Sequence, residues 1–125
     1  MQWHKLSGDT APPDVDAFEK MALHNTGLDL PQVPTRYRSS YFLHIWSNGY
    51  AAGYYAYLWT KMLEEDAYSW FEENGGLTRA NGQRFRDMIL SRGNTEDYNK
   101  MFRDFRGHDP DIKPMEKALG LPVSE

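Results

Sequence analysis

The sequence predicts an all-α fold, and three observations carry that expectation. Tyr, Trp and Phe are plentiful while Val and Ile are scarce, and no stretch sustains a period-two alternation bounded by hairpin turns. Helix starts and stops also recur along the chain: Asp or Thr ahead of apolar residues spaced by three and four, then glycine.

Trp3 to Leu6 reads as the frayed end of some earlier element, and Ser7 to Pro13, rich in Gly, Asp and Pro, as a linker. Asp14 can cap a helix running to about Asn25, with Asp16 in its first turn, Gly27 as terminator and Val15, Phe18, Met21 and Ala22 as the apolar face. From Leu28 to Pro34 two prolines impose an extended connector. Arg36 to Trp46 suits a short helix or an irregular strand, with helix the choice made here.

Ser47, Asn48 and Gly49 supply a tight loop, and a long helix is expected from about Ala52 to Asn74, stopped by Gly75 and Gly76. At about 100° per residue, Tyr55, Leu58, Trp59, Met62, Leu63 and Trp70 share one stripe of that helix, whereas Tyr57 points almost the opposite way with Glu64 and Tyr68. Thr78 can cap a helix to about Arg92, closed by Gly93, and Thr95 another to about Arg106 with Tyr98, Met101, Phe102 and Phe105 apolar. Asp109-Pro110 or Pro114 opens a last short helix ended by Gly120. About five helices result, with no repeat, in residues 1–125 taken as a single domain or a fragment of one.

Composition bounds the function. The 125 residues carry a net charge of −4 with Lys and Arg dispersed, which leaves no footprint for a polyanion, so no nucleic-acid partner is expected. No apolar run approaches the roughly 20 residues of a membrane span, so no membrane is expected either. Cysteine is absent, which removes disulfides and thiolate chemistry and fits a reducing compartment, the cytoplasm.

Chemistry is sought where the aromatics crowd, between Tyr41 and Phe71. Tyr57, off the core stripe, is either half-exposed decoration or a donor aimed outside its helix. Gly49 and Gly53 bracket Tyr50, so backbone can approach a ligand while the ring stays at the loop's edge. The spacing of His44, six residues before Tyr50 and thirteen before Tyr57, allows imidazole and phenols to fold towards one cleft without requiring it. The plainer reading of all these residues is core aromatics, a satisfied histidine and turn glycines. Glu64-Glu65-Asp66 and Glu72-Glu73 read as a solvated helix face and not as catalytic carboxylate pairs. Asn-Gly-Gly and Ser-Arg-Gly lack the spacing of phosphate-binding loops.

The runs Tyr-Arg-Ser-Ser-Tyr-Phe-Leu-His at 37–44 and Asn-Gly-Tyr-Ala-Ala-Gly-Tyr-Tyr-Ala-Tyr-Leu-Trp at 48–59 resemble the bacterial peptidyl-dipeptidase branch of the thimet oligopeptidase family. Asn-Gly-Gly-Leu-Thr-Arg-Ala-Asn-Gly at 74–82, Leu-Ser-Arg-Gly-Asn at 90–94 and Arg-Gly-His-Asp-Pro at 106–110 resemble the carboxy-terminal part of those enzymes, so nearly the whole chain is covered. The six-residue step from His44 to Tyr50 is similar to that branch, the thimet branch being one residue shorter there.

The resemblance implies a helical zinc enzyme with a deep channel that removes dipeptides from the carboxyl end of peptides, its zinc site in a helix that precedes this region. By motif position Tyr57 implies the donor to the oxyanion, His44 a partner to substrate or to that donation, and Tyr50 a holder of substrate near its carboxyl end. Tyr54, Gly49 and Gly53 complete the substrate-binding set. A metal site of this type needs His-Glu-x-x-His, and His4, His24, His44 and His108 do not form one. The expectation is therefore a carboxy-terminal fragment with no metal ligands, zinc belonging to the parent enzyme, a peptide as substrate and the remainder of the catalytic domain as partner. Apolar faces left bare would favour self-association. The rival expectation is a free-standing helical module that binds peptide, or is vestigial, without catalysis.

Overall fold

The computed structural model describes residues 1–10 and 14–123, and every regular element among them is helical. The chain divides into two compact units, Met1–Tyr55 and Ala56–Glu125. Among the described residues no helix is long and apolar enough to cross a membrane.

The first unit holds a short 3₁₀ turn, Gln2–Lys5, and helices α1, Val15–Asn25, and α2, Leu43–Ser47. Asp14 caps α1 as expected, its carboxylate accepting from the Ala17 N–H at 2.7 Å. The helix closes with the Leu28 N–H donating to the Leu23 carbonyl at 2.9 Å around Gly27, a six-to-one closure that needs the left-handed φ of +69° found there.

Trp3 is not a frayed end. Its ring lies 4.1 Å from Phe18 and 5.8 Å from Trp46 between centroids, so it supplies much of the apolar contact that a unit of this size requires. Of the expected α1 face only Phe18 is buried, while Val15 and Met21 stay exposed. The core of the unit is built around polar Ser39 instead. Its Oγ accepts from Trp3 Nε1 at 2.8 Å, its carbonyl from Trp46 Nε1 at 2.7 Å, and its own N–H and O–H donate to Glu19 Oε2 at 2.7 and 2.9 Å. Both indole N–H groups are thereby satisfied inside the cluster. The segment 36–46 is helical only at its end, where α2 begins; residues 36–42 run as turns that present Ser39 to its three partners.

The second unit contains α3, Ala56–Glu73, α4, Arg79–Phe85, α5, Tyr98–Arg106, and α6, Lys113–Ala118. Helix α3 starts at Ala56 and not Ala52, because residues 51–55 form a turn anchored by the Gly53 N–H on the Tyr50 carbonyl at 3.0 Å. Gly75 and Gly76, both at φ +87°, stop it as expected, and Asn81 Nδ2 donates to the Asn74 and Gly76 carbonyls at 2.9 and 2.8 Å.

Thr78 caps α4, but the helical path to Leu90 changes pitch. Residues Arg86–Leu90 form a π-turn, with the Ser91 N–H reaching back five residues to the Arg86 carbonyl at 2.8 Å. The cap of α5 is Asp97, which accepts from the Lys100 N–H at 2.9 Å; Thr95 instead donates its hydroxyl to the Arg92 carbonyl at 2.7 Å.

Phe71, Met101, Phe105 and Met115 form the buried apolar core of this unit. Phe105 lies 4.8 Å from Trp70 and 5.3 Å from Phe85 between ring centroids. The expected α3 stripe is therefore half right: Trp70 packs, whereas Leu58 and Trp59 are 62% and 54% exposed. Helix α3 packs chiefly against α6 and less against α5.

Candidate functional site

The first unit brings three of the expected residues together. His44, near the start of α2, has its ring centroid 5.7 Å from Tyr50 and 5.9 Å from Tyr54, the latter edge-on at 80°. Tyr54 in turn meets Phe42 edge-on at 4.6 Å, and Phe42 stacks on Tyr37 at 5.2 Å. Rings in these tilted and edge-on arrangements hold one another by quadrupole as well as contact, so the imidazole and two phenols sit on a braced aromatic row. Phe42 and Tyr37 were absent from the expected set; their place in the run 37–44 was the signal that could have found them.

Local sequence explains how the loop reaches that row. Gly49 adopts φ +75° after Asn48 ends α2, a conformation a side chain resists, and the chain turns back at Tyr50 to Gly53. No atom lies within 4 Å of where a Cβ would stand at Gly49 or Gly53, so both glycines face open space and not a packed wall. Tyr50 is 36% exposed.

Tyr57 belongs to the second unit, where it occupies the first turn of α3. Its carbonyl accepts from the Thr60 hydroxyl at 3.1 Å and its side chain is 46% exposed, consistent with a position off the packed side of the helix.

The acidic residues on the same helix divide: Glu64, Glu72 and Glu73 are exposed as expected, whereas Asp66 is not. Asp66 is wholly buried, accepting from Arg106 Nε at 2.7 Å and from the Asp111 N–H at 2.8 Å. Arg106 spends its remaining donors on Glu73, at 2.7 Å to each carboxylate oxygen, and on Ser69 Oγ at 3.0 Å. Burial alone pulls the guanidinium's pKa down, but its hydrogen bonds to Glu73 and Asp66 outweigh that and raise it. Every polar atom of this cluster is committed to another protein atom, so it acts as a brace. The sequence signal for it was the run Arg106 to Pro110, which supplies both Arg106 and the bend towards Asp111.

The same unit holds an apolar cavity of about 420 Å³ lined by Trp59, Leu63, Phe85, Ile89 and Phe102 among others. Among the described residues no three His, Cys, Asp or Glu side chains are grouped to hold a metal ion.

Comparison with known proteins gives one consistent result. The model of Peptidase family M3 matches residues 1–121. Dipeptidyl carboxypeptidase of Escherichia coli is 58% identical over 123 residues, which is 98% of this chain and 18% of that protein; the Salmonella typhimurium protein of the same name is 59% identical over 121 residues, 97% of this chain and 18% of its own length. Oligopeptidase A of Escherichia coli is 49% identical over 80 residues, 64% of this chain and 12% of that protein. The chain thus spans less than a fifth of the length of the curated relatives it matches.

Proposed function

This chain belongs to peptidase family M3, and from that premise we propose that it is the carboxy-terminal part of a zinc peptidyl-dipeptidase, supplying residues that hold the substrate and stabilise the transition state. The observation that carries this reading is the aromatic row His44–Tyr50–Tyr54, in which groups able to donate and accept hydrogen bonds are braced at the edge of a glycine loop with open space around it.

The roles follow from the chemistry of amide hydrolysis. As a peptide carbonyl becomes tetrahedral, its oxygen takes on negative charge, and a preorganised O–H donor favours that state over the planar amide. Tyr57 is the donor assigned to it. His44 hydrogen-bonds the substrate or supports that donation, and Tyr50 and Tyr54 hold the substrate near its free carboxylate, with Gly49 and Gly53 leaving room for its backbone. A peptide is thus the substrate class, and the 58–59% identity to two proteins named dipeptidyl carboxypeptidase supports release of a dipeptide from its carboxyl end.

Zinc, which the family resemblance implies, does not fit the residues of this chain. The four histidines stand apart in sequence, and no suitable group of ligands occurs among the described residues. The metal is assigned to the rest of the catalytic domain, which is also the chain's first partner. The cytoplasm is the compartment assigned, on the absence of cysteine.

Two measurements test the reading. In the full-length enzyme that carries this segment, Tyr57→Phe should lower kcat roughly 10²- to 10³-fold, as loss of one oxyanion donor does, with zinc content unchanged; an unaltered turnover number removes Tyr57 from the mechanism. The 125-residue chain alone, supplied with zinc and a blocked tripeptide, should release no dipeptide. Stoichiometric zinc together with cleavage would overturn the division of labour proposed.

A further inference from the structure

Three Asn-Gly pairs occur in the sequence, Asn48-Gly49, Asn74-Gly75 and Asn81-Gly82, and the fold treats them differently. Asn81 lies in the first turn of α4, its Nδ2 donating to two carbonyls at 2.8 and 2.9 Å, while the Gly82 N–H is bound to the Thr78 carbonyl at 3.0 Å. Asn74 ends α3 with Nδ2 on the Trp70 carbonyl at 2.7 Å, and the chain just beyond it is fixed by the Gly76 N–H on the Phe71 carbonyl at 2.7 Å. Asn48 is exposed in the turn after α2, and its carboxamide makes no hydrogen bond among the described residues.

We propose that Asn48 is a site of spontaneous modification, its carboxamide lost to attack by the Gly49 backbone nitrogen, which leaves aspartate or isoaspartate in the loop ahead of Tyr50. The Gly49 nitrogen bonds to Asn48 Cγ and the Cγ–Nδ2 bond breaks. Ammonia leaves with the proton released from the Gly49 amide, and a five-membered imide remains. Water then opens one of the two imide C–N bonds. Opening at Cγ gives aspartate; opening at the main-chain carbonyl gives isoaspartate, in which the chain runs through Cβ and the loop is one atom longer.

The reaction requires the carboxamide to rotate onto the next nitrogen, and it is fastest before glycine, where no Cβ obstructs the approach and φ is free. Hydrogen bonds that pin the amide, or the attacking N–H, oppose that rotation at Asn74 and Asn81. Either product also places a carboxylate one helical turn after His44 on the loop that leads to Tyr50. This inference does not depend on the proposed function.

The three sites fall in separate tryptic peptides, 39–61, 62–79 and 80–84, so one digest reads all of them. The folded chain is aged in mildly alkaline buffer, with a parallel sample in urea, and the acid forms are counted by mass spectrometry with fragmentation that separates aspartate from isoaspartate. In the folded sample the 39–61 peptide should convert several-fold faster than the other two, with isoaspartate present, whereas in urea the three rates should converge. Asn48→Gln should abolish conversion in its peptide and leave the others unchanged. The proposal is overturned if Asn74 or Asn81 keeps pace with Asn48 in the folded chain, or if folded Asn48 remains an amide over the time in which its urea-treated counterpart converts.

Discussion

Arg106 Nε donates to Oδ1 of the fully buried Asp66 at 2.7 Å, across forty residues of sequence. The pair is buried on both sides, with side-chain exposures of 10% and 0%, so its energetics differ from those of the exposed pairs elsewhere on the chain. Removal of one partner strands the other charge in a medium that cannot solvate it.

Arg106→Met should therefore lower the unfolding free energy of the second unit by about 3 to 5 kcal/mol. Arg106→Lys should fall between, because a point ammonium cannot serve Asp66, Glu73 and Ser69 together. Urea titration followed by tryptophan fluorescence measures both. A loss from Arg106→Met no larger than that from Lys100→Ala, which breaks an exposed pair with Asp104, would contradict the brace.

Acid should weaken the first unit through Glu19. Burial by itself raises the pKa of this carboxyl, but the Ser39 amide and hydroxyl and the Arg38 guanidinium outweigh it and hold the value below the ordinary range. A carboxylate lowered on folding stabilises fully above its unfolded pKa of about 4.3 and loses that contribution as pH falls through the lower folded value. The urea midpoint should thus be flat above about pH 6 and fall with acidification through about pH 4 and below. Glu19→Gln should flatten part of that slope, and an unchanged slope would remove Glu19 from the linkage.

The cap of α5 distinguishes two neighbouring residues. Asp97→Ala should cost about 1 kcal/mol, the usual worth of a side-chain cap, and Thr95→Ala less. Equal losses in thermal or chemical unfolding would show that the helix does not take its start from Asp97.

Exposed apolar residues on α3 should make the isolated chain associate with itself. Leu58 and Trp59 are more than half exposed, and Trp59 also borders the apolar cavity. Light scattering should report a mass that rises with concentration, and Leu58→Gln with Trp59→Gln should reduce the rise. A compact monomer at every concentration would count against it.

Sequence reasoning succeeded where the information was local. The caps at Asp14 and Thr78 and the stops at Gly27, Gly75-Gly76 and Gly120 lie within a few residues of the elements they delimit, and all are observed. The proximity of His44 to Tyr50 was permitted but not required by their spacing, and the roles assigned to those side chains rest on the family resemblance. Burial of Asp66 was not legible, because the residues that make it tolerable are Arg106 and Asp111, far along the chain, and an isolated Glu-Glu-Asp run on a helix is ordinarily wet. Ser39 escaped notice for the same reason: a lone serine gains meaning only when Trp3, Trp46 and Glu19 converge on it. The exposure of Leu58 and Trp59 was illegible because periodicity identifies a stripe but not how much of it finds a neighbour.

Asp66 receives its two hydrogen bonds from residues translated well after it, one of them the backbone of Asp111. During synthesis the Asp66 carboxylate therefore stays hydrated until the segment beyond Gly107 emerges, because burying it without Arg106 and Asp111 would strand its charge. A chain ending before Asp111 would lack one of those two hydrogen bonds.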